Sequence, residues 1–276
     1  MNAQMPTRET SAAGRMEAAD AWAGRSLGER TLGYTESDAI LYALAVGAPA
    51  SELDLVFEDR LRVLPSFGLT LAQWAPDVLA AQGAFDNRAV HGSQDLTVLK
   101  PLPRSGELTL KARVGEVWDK GSAAVFNVLV ECDYFVATWS IFAPGTGGFG
   151  GDRGPGRIPA PEGEPTDSAR IATGLNQAAL YRLLGDRHHI HIDPQAARRI
   201  GQDRPILHGL ASLASATLPL AGLAGAHPAD LVHLGGRFAG VVFPGDELTV
   251  RTWEEGRFDA LVGNKPVISD GLVVFG

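Results

Sequence analysis

Three landmarks recur along this chain at nearly one spacing, and nothing else in the sequence restricts its fold as much. Tyr42…Gly47 is answered by Tyr181…Gly185. Pro65…Gly68-Leu-Thr-Leu-Ala72 is answered by Pro205…Gly209-Leu-Ala-Ser-Leu213, and Pro103…Gly106-Glu-Leu-Thr-Leu110 by Pro244-Gly245-Asp-Glu-Leu-Thr-Val250. From Tyr42 to Tyr181, Gly68 to Gly209 and Gly106 to Gly245 the separations are 139, 141 and 139 residues. Ordered matches at a constant offset argue for a duplicated unit of about half the chain. Between the copies lies 144–167, dense in glycine and proline and without a period, which is read as a poorly ordered linker. The expected division is a flexible tail at 1–20, a first unit at 21–143, the linker at 144–167 and a second unit at 168–276.

Each unit reads as an early helix, a short apolar helix opened by glycine, and a meander of antiparallel strands, an α+β arrangement. In the first unit Thr35-Glu-Ser-Asp38 has the form of a helix cap and Gly47 ends the helix it starts. Leu96–Leu99 and Glu107–Val114 flank Pro103-Arg-Ser-Gly106, a hairpin signal, and Ala123–Glu131 and Phe135–Phe142 are further strands. In the second unit Leu210–Leu218 is uncharged and rich in small side chains, so a sheet can wrap it closely; Pro219 marks its expected end.

The net charge of −8 argues against nucleic-acid binding as the main function. A single cysteine, Cys132, excludes an internal disulfide framework and fits a reducing cytoplasm. No apolar run reaches transmembrane length, so no membrane association is expected.

Chemistry concentrates in Tyr181–Leu210. Asp186 and His191 stand five residues apart on a loop that starts at Gly185, and a carboxylate and an imidazole so placed can share one water as base and acid. Gly209, at the opening of a helix, can offer its backbone N–H to a developing oxyanion. His188, His189, His191 and Asp193 also suggest zinc, but the loop has no cysteine and no second ligand cluster is evident, so no metal is expected.

Tyr181-Arg182, Gly185-Asp186, His191-Ile-Asp-Pro194 and Pro205-Ile-Leu-His-Gly-Leu210 together resemble the signature of hydratase 2, the (R)-specific enoyl-CoA hydratases of the MaoC-like hotdog superfamily. The resemblance implies a hotdog fold, and the duplication a double hotdog. It implies Asp186, His191 and Gly209 as the catalytic set, with His188, Tyr181, His208 and Arg237 at the substrate; for His208 packing at the helix start, and for Arg237 a purely structural role, stay open. One departure stands out: the family usually has Asn-Pro where this chain has His188-His189. The first unit has Gly47-Ala48-Pro49-Ala50 in place of the acid and imidazoles.

The activity so implied is reversible hydration of a trans-2-enoyl-CoA to the (3R)-3-hydroxyacyl-CoA. Coenzyme A is then part of the substrate rather than a cofactor, and a cytoplasmic homodimer is expected. With no acid–base groups, the first unit is free to hold a large acyl group, branched or polycyclic as in a steroid side-chain thioester. A thioesterase of the same fold and a non-catalytic acyl-thioester-binding subunit are the competing readings.

Overall fold

The computed structural model describes residues 17–276. The first unit runs β1 (Ser26–Tyr34), α1 (Glu36–Ala45), α2 (Leu53–Val56), α3 (Phe67–Ala72), α4 (Trp74–Ala81), β2 (Val90–Val98), β3 (Gly106–Asp119), β4 (Ala123–Glu131) and β5 (Phe135–Pro144). The second runs β6 (Asp167–Ala172), α5 (Gln177–Tyr181), α6 (Pro194–Arg199), α7 (Gly209–Leu223), β7 (Leu231–Phe238), β8 (Glu247–Thr252), β9 (Arg257–Val262) and β10 (Lys265–Phe275). All ten strands form one antiparallel sheet in the order β1-β3-β4-β5-β2-β7-β10-β9-β8-β6. That order reads the same from either end once each strand is replaced by its repeat partner, so this is a double hotdog. The units join where β2 pairs with β7, Asp95 opposite Gly235 and Thr97 opposite His233.

Local chemistry accounts for the helix positions. Thr35 and Asp38 form a reciprocal capping box at the start of α1, and Gly47, at φ +98°, stops the chain from continuing as a helix. Helix α7 is buried over most of its length, Leu210–Thr217 without a break, and its alanines and serines let the sheet close around it. The expected end at Pro219 does not hold, because the helix runs on to Leu223. Proline there forfeits one backbone bond, but the next turn buries Leu220 and Ala221 completely, and that burial offsets the loss.

The expected hairpin across Pro103–Gly106 is also corrected. β2 pairs with β5 and β7, and β3 with β1 and β4. The intervening segment crosses the end of the sheet. The N–H groups of Leu99 and Lys100 both donate to the carbonyl of Tyr134, beyond β5, and the Tyr34 hydroxyl at the end of β1 donates to the Pro103 carbonyl. The turn signal was real, but it marks a crossover rather than adjacent strands.

Two boundary expectations change in character. Of the tail at 1–20, residues 1–16 lie outside the described residues; Ala19 and Trp22 are buried in a short 3-10 turn, with Glu17 paired to Arg25 at 2.7 Å. Residues 145–166 have no regular structure yet are strapped down at both ends. The Asp119 carboxylate accepts N–H bonds from Gly148 (2.9 Å), Gly121 (2.7 Å) and Gly150 (2.7 Å), which hold its pKa down at about 2. Arg257 donates to the Pro159 carbonyl and Trp253 to that of Gly163. Glycine suits this strap because its backbone N–H groups can converge on one carboxylate.

Candidate active site

The loop after α5 begins at Gly185, whose φ of +155° favours glycine, and a Cβ there would also press on the Thr70 carbonyl of α3 at 3.4 Å. The loop of the second unit that carries Asp186 and His191 therefore leans on the helix layer of the first. Asp186 follows, and its Oδ1 accepts the backbone N–H of His188 at 3.0 Å. That bond fixes the carboxylate and leaves Oδ2 turned toward His191, 3.9 Å from Nε2. Asp193 caps α6 through the Gln195 N–H at 2.8 Å, with Pro194 in the first turn. The Asp-Pro pair thus anchors the loop from its far side.

His191 is buried, and its Nδ1–H donates to the Ile206 carbonyl at 2.9 Å. This selects the tautomer with a free lone pair on Nε2, facing Asp186. Burial pulls its pKa below the ordinary histidine value, so the imidazole is neutral and able to take a proton near neutral pH. A water about 2.8 Å from both Nε2 and Oδ2 would see them at an angle of about 90°, close to the spread of its own two O–H bonds. The gap fits one water.

His208 holds this pair from behind. Its ring stacks on His191 at 3.6 Å and 21°, and its Nε2–H donates to the Asp186 carbonyl at 3.1 Å. Burial, reinforced by His191, pushes its pKa down to about 3, so it stays neutral. Donor atoms of Asp186, His191 and His208 all lie within 4.8 Å of one another. The stacked rings, however, send their lone pairs along nearly parallel planes instead of toward one point about 2 Å from each nitrogen, which zinc would need. Acid–base chemistry is what this geometry suits.

Gly209 is the first residue of α7, and among the described residues its N–H meets no acceptor. It opens a 15-residue helix, where the partial positive charge of the dipole adds to the exposed N–H. A Cβ on Gly209 would come within 3.0 Å of the Phe238 ring. The missing side chain is thus required by packing as well as by access.

Of the other expected residues, Tyr181 is fully buried behind the site, its ring 4.8 Å from His208 and 6.1 Å from its repeat partner Tyr42. It supports His208. His188 contacts Asp186 through its backbone; its Nδ1 accepts the Ile190 N–H at 3.4 Å and its ring centroid is 6.3 Å from that of His191. Arg237 is not brought to the cluster: it is exposed and alternates along β7 with Gly236 and Phe238, which face α7. The sequence reading missed Phe238, the Ile206 carbonyl and His91. His91-Gly92-Ser-Gln94 lies in β2, and the His91 ring meets Phe238 at 4.7 Å. Only pairing across β2 and β7 brings those residues together, and no local pattern carries that signal.

A double hotdog that sets a buried histidine and a part-exposed aspartate beside a glycine-opened central helix has the form of a water-adding or water-removing enzyme of acyl thioesters. Comparison with known proteins makes the class specific. Residues 32–137 match the MFE-2 hydratase 2 N-terminal domain and residues 158–269 the MaoC like domain. Enoyl-CoA hydratase ChsH3 of Mycobacterium tuberculosis is 37% identical over 247 residues, covering 81% of this chain and 85% of that protein. Peroxisomal multifunctional enzyme type 2 of Mus musculus is 37% identical over 84% of this chain, which spans only 34% of that longer protein. A MaoC-like dehydratase structure from Phytophthora capsici superposes with a TM-score of 0.84 at 26% identity, covering 94% of this chain and 98% of the other. The chain belongs to the MaoC-like enoyl-CoA hydratase 2 family.

Proposed function

We propose that the chain hydrates trans-2-enoyl-CoA thioesters to (3R)-3-hydroxyacyl-CoA, with Asp186 and His191 acting as one proton-handling pair on a shared water. The carrying observation is the 3.9 Å gap between His191 Nε2 and Asp186 Oδ2, with both remaining faces of the pair already tied to the backbone. Water oxygen attacks C3 as the pair takes one of its protons; a proton from the pair then adds at C2, so the pair ends as it began. Imidazolium formed on the way lies beside the carboxylate, which favours it. Negative charge on the thioester oxygen in the enolate falls to the N–H of Gly209. Coenzyme A enters as part of the substrate.

The finer reading is a bulky acyl group lying against the first unit, a steroid side-chain thioester being one such group. Where the second unit has the unbroken helix α7, the first has two short helices, α3 and α4, divided at Gln73. The Thr70 carbonyl of α3 approaches Gly185 at the mouth of the catalytic loop. Val78 in α4 and Phe85 just beyond it are only partly buried, so this region has apolar surface to offer a ligand.

The experiment is incubation with crotonyl-CoA and then with longer and branched enoyl-CoAs, following conjugated-thioester absorbance and free thiol together. Hydration removes the absorbance without releasing thiol, and kcat/KM rises with acyl bulk. Thiol release would establish a thioesterase in its place. A decisive preference for the four-carbon substrate would remove the bulky-acyl reading and leave hydration standing.

A further inference from the structure

The first unit has Gly47–Ala50 where the second has Asp186 and His191, yet one of its residues reaches the second unit's site through a defect in the sheet. Strand β2 pairs with β5 in regular register from Val98 back to Ser93, opposite Ser140; His91 then pairs with Ile141, so Gly92 is an extra residue. This is a β-bulge, a device that re-aims side chains. Its effect follows from the alternation of the strand. Gln94 and Leu96 are buried on the helix side, while Asp95 and Thr97 face outward, where they meet His233 at 3.3 and 3.5 Å. Unbroken alternation would place His91 outward with Asp95. The bulge turns it inward, where its ring meets Phe238 at 4.7 Å and 66°. Glycine is suited to the bulge, since a Cβ at Gly92 would approach the Ser140 carbonyl at 3.3 Å.

Phe238 in turn lies against the first residue of α7, close enough that a Cβ on Gly209 would be 3.0 Å from its ring. The imidazole is locked on its other side, Nε2–H donating to the Ser93 carbonyl at 3.0 Å. The three groups make a line from β2 of one unit, through β7, to the helix opening of the other. We infer that His91 is a positioning residue for the hydration reaction: it braces Phe238 edge-on and so fixes where the Gly209 N–H meets the thioester oxygen. Together His91 and Phe238 wall off that side of the oxyanion position from water. The duplicated unit therefore completes the oxyanion side of a centre whose acid and base lie wholly in the other unit.

This inference rests on the hydratase reading, and the test separates the two. The full chain and its His91→Ala, His91→Phe and Phe238→Leu variants are assayed with crotonyl-CoA. Because small misplacements of a catalytic group can cost about a hundredfold in rate, His91→Ala should lower kcat by about tenfold to a hundredfold, with KM within about threefold of the parent. His91→Phe keeps an aromatic edge without ring nitrogens and should return to within about threefold of the parent kcat. The double variant His91→Ala/Phe238→Leu should be no slower than Phe238→Leu alone, because the brace acts only through that ring. The inference is overturned by an undiminished kcat in His91→Ala, by His91→Phe being as slow as His91→Ala, or by multiplicative losses in the double variant. Should His91→Ala not fold, the rate of His91→Phe and its combination with Phe238→Leu decide the matter alone. A parent chain that hydrates no enoyl-CoA would sink the hydratase reading instead.

Discussion

The same His91 allows a quantitative prediction about stability, because its proton equilibrium differs between the folded and unfolded chain. Burial pushes its pKa from 6.5 down to about 4, against smaller opposing contributions from the Ser93 carbonyl and the Asp186 charge. Between these two values the unfolded chain binds a proton that the folded chain does not, so stability rises with pH across that window. It is fully present above 6.5, is lost as pH falls toward 4, and changes no further below. Integrating between pH 8 and pH 5 gives a loss of about 2 kcal/mol from this group alone. That figure is an upper one, since His91 as a residue is only partly buried. His208 and His191, stacked and both held below the ordinary histidine value mainly by burial, add losses of the same sign. Asp77 and Asp95, held above the ordinary carboxylate range chiefly by burial, work in the opposite direction and at lower pH. The assay is chemical denaturation at pH 8 and pH 5 for the parent and His91→Phe. Phenylalanine cannot titrate, so the pH 8-to-5 difference should shrink in this variant by about 2 kcal/mol. Equal pH dependence in both proteins would refute the assignment of His91 as a buried, neutral imidazole.

The residues proposed for the reaction give sharper expectations. Asp186→Asn and His191→Ala should each cost about a hundredfold to ten-thousandfold in kcat with the circular dichroism spectrum unchanged; near-normal turnover in either would remove that residue from the pair. Gly209→Ala should lose about a hundredfold or more in kcat as the new methyl drives against Phe238 and shifts the oxyanion donor, whereas retention of full rate would exclude that N–H from the reaction. His188→Asn should stay within about threefold of the parent with an unshifted pH–rate profile, because the bond to Asp186 comes from the backbone; a displaced acid limb would show the ring to be engaged. Arg237→Ala should leave kcat/KM for crotonyl-CoA unchanged, and a large rise in KM would place the guanidinium at the substrate.

What could be read from the sequence was whatever is encoded locally. The capping box at Thr35, the glycine stop at Gly47 and the small-residue face of α7 are all short-range patterns, and each has its counterpart in the fold. Strand adjacency is not of that kind. Pro103–Gly106 looks the same whether the following strand folds back on β2 or crosses to another place, and only the pairing of β2 with β7 decides between them. The same limit separates Asp186 and His191, close in sequence, from Phe238 and His91, which reach the site through the sheet. Proline at 219 misled because the local rule counts a lost hydrogen bond and cannot see the burial of Leu220 and Ala221.

The repeat partners differ in the space left around their helix openings, which bears on why the proposed chemistry sits in one unit only. Gly68 lies in the first turn of α3 as Gly209 does in that of α7, but a Cβ on Gly68 would lie 2.6 Å from the Phe135 ring, compared with 3.0 Å from Phe238 at Gly209. Beside Gly68, Phe67 is buried against Tyr34 at 5.2 Å and Tyr42 at 5.1 Å, so aromatic side chains fill the space around that helix opening. At Gly209 the preceding residue is His208, whose ring lies on the His191 imidazole instead of filling the cleft. Tyr42 and Tyr181, repeat partners that meet at 6.1 Å, link the two environments: one side of the contact leads into a packed aromatic core, the other through His208 to His191. Restoring an acid and a histidine in the loop at Gly47–Ala50 would therefore not restore a second site. The helix opening beside it is already occupied by Phe135 and Phe67, whose burial the fold cannot give up cheaply, since truncating a buried phenylalanine typically costs about 3–5 kcal/mol.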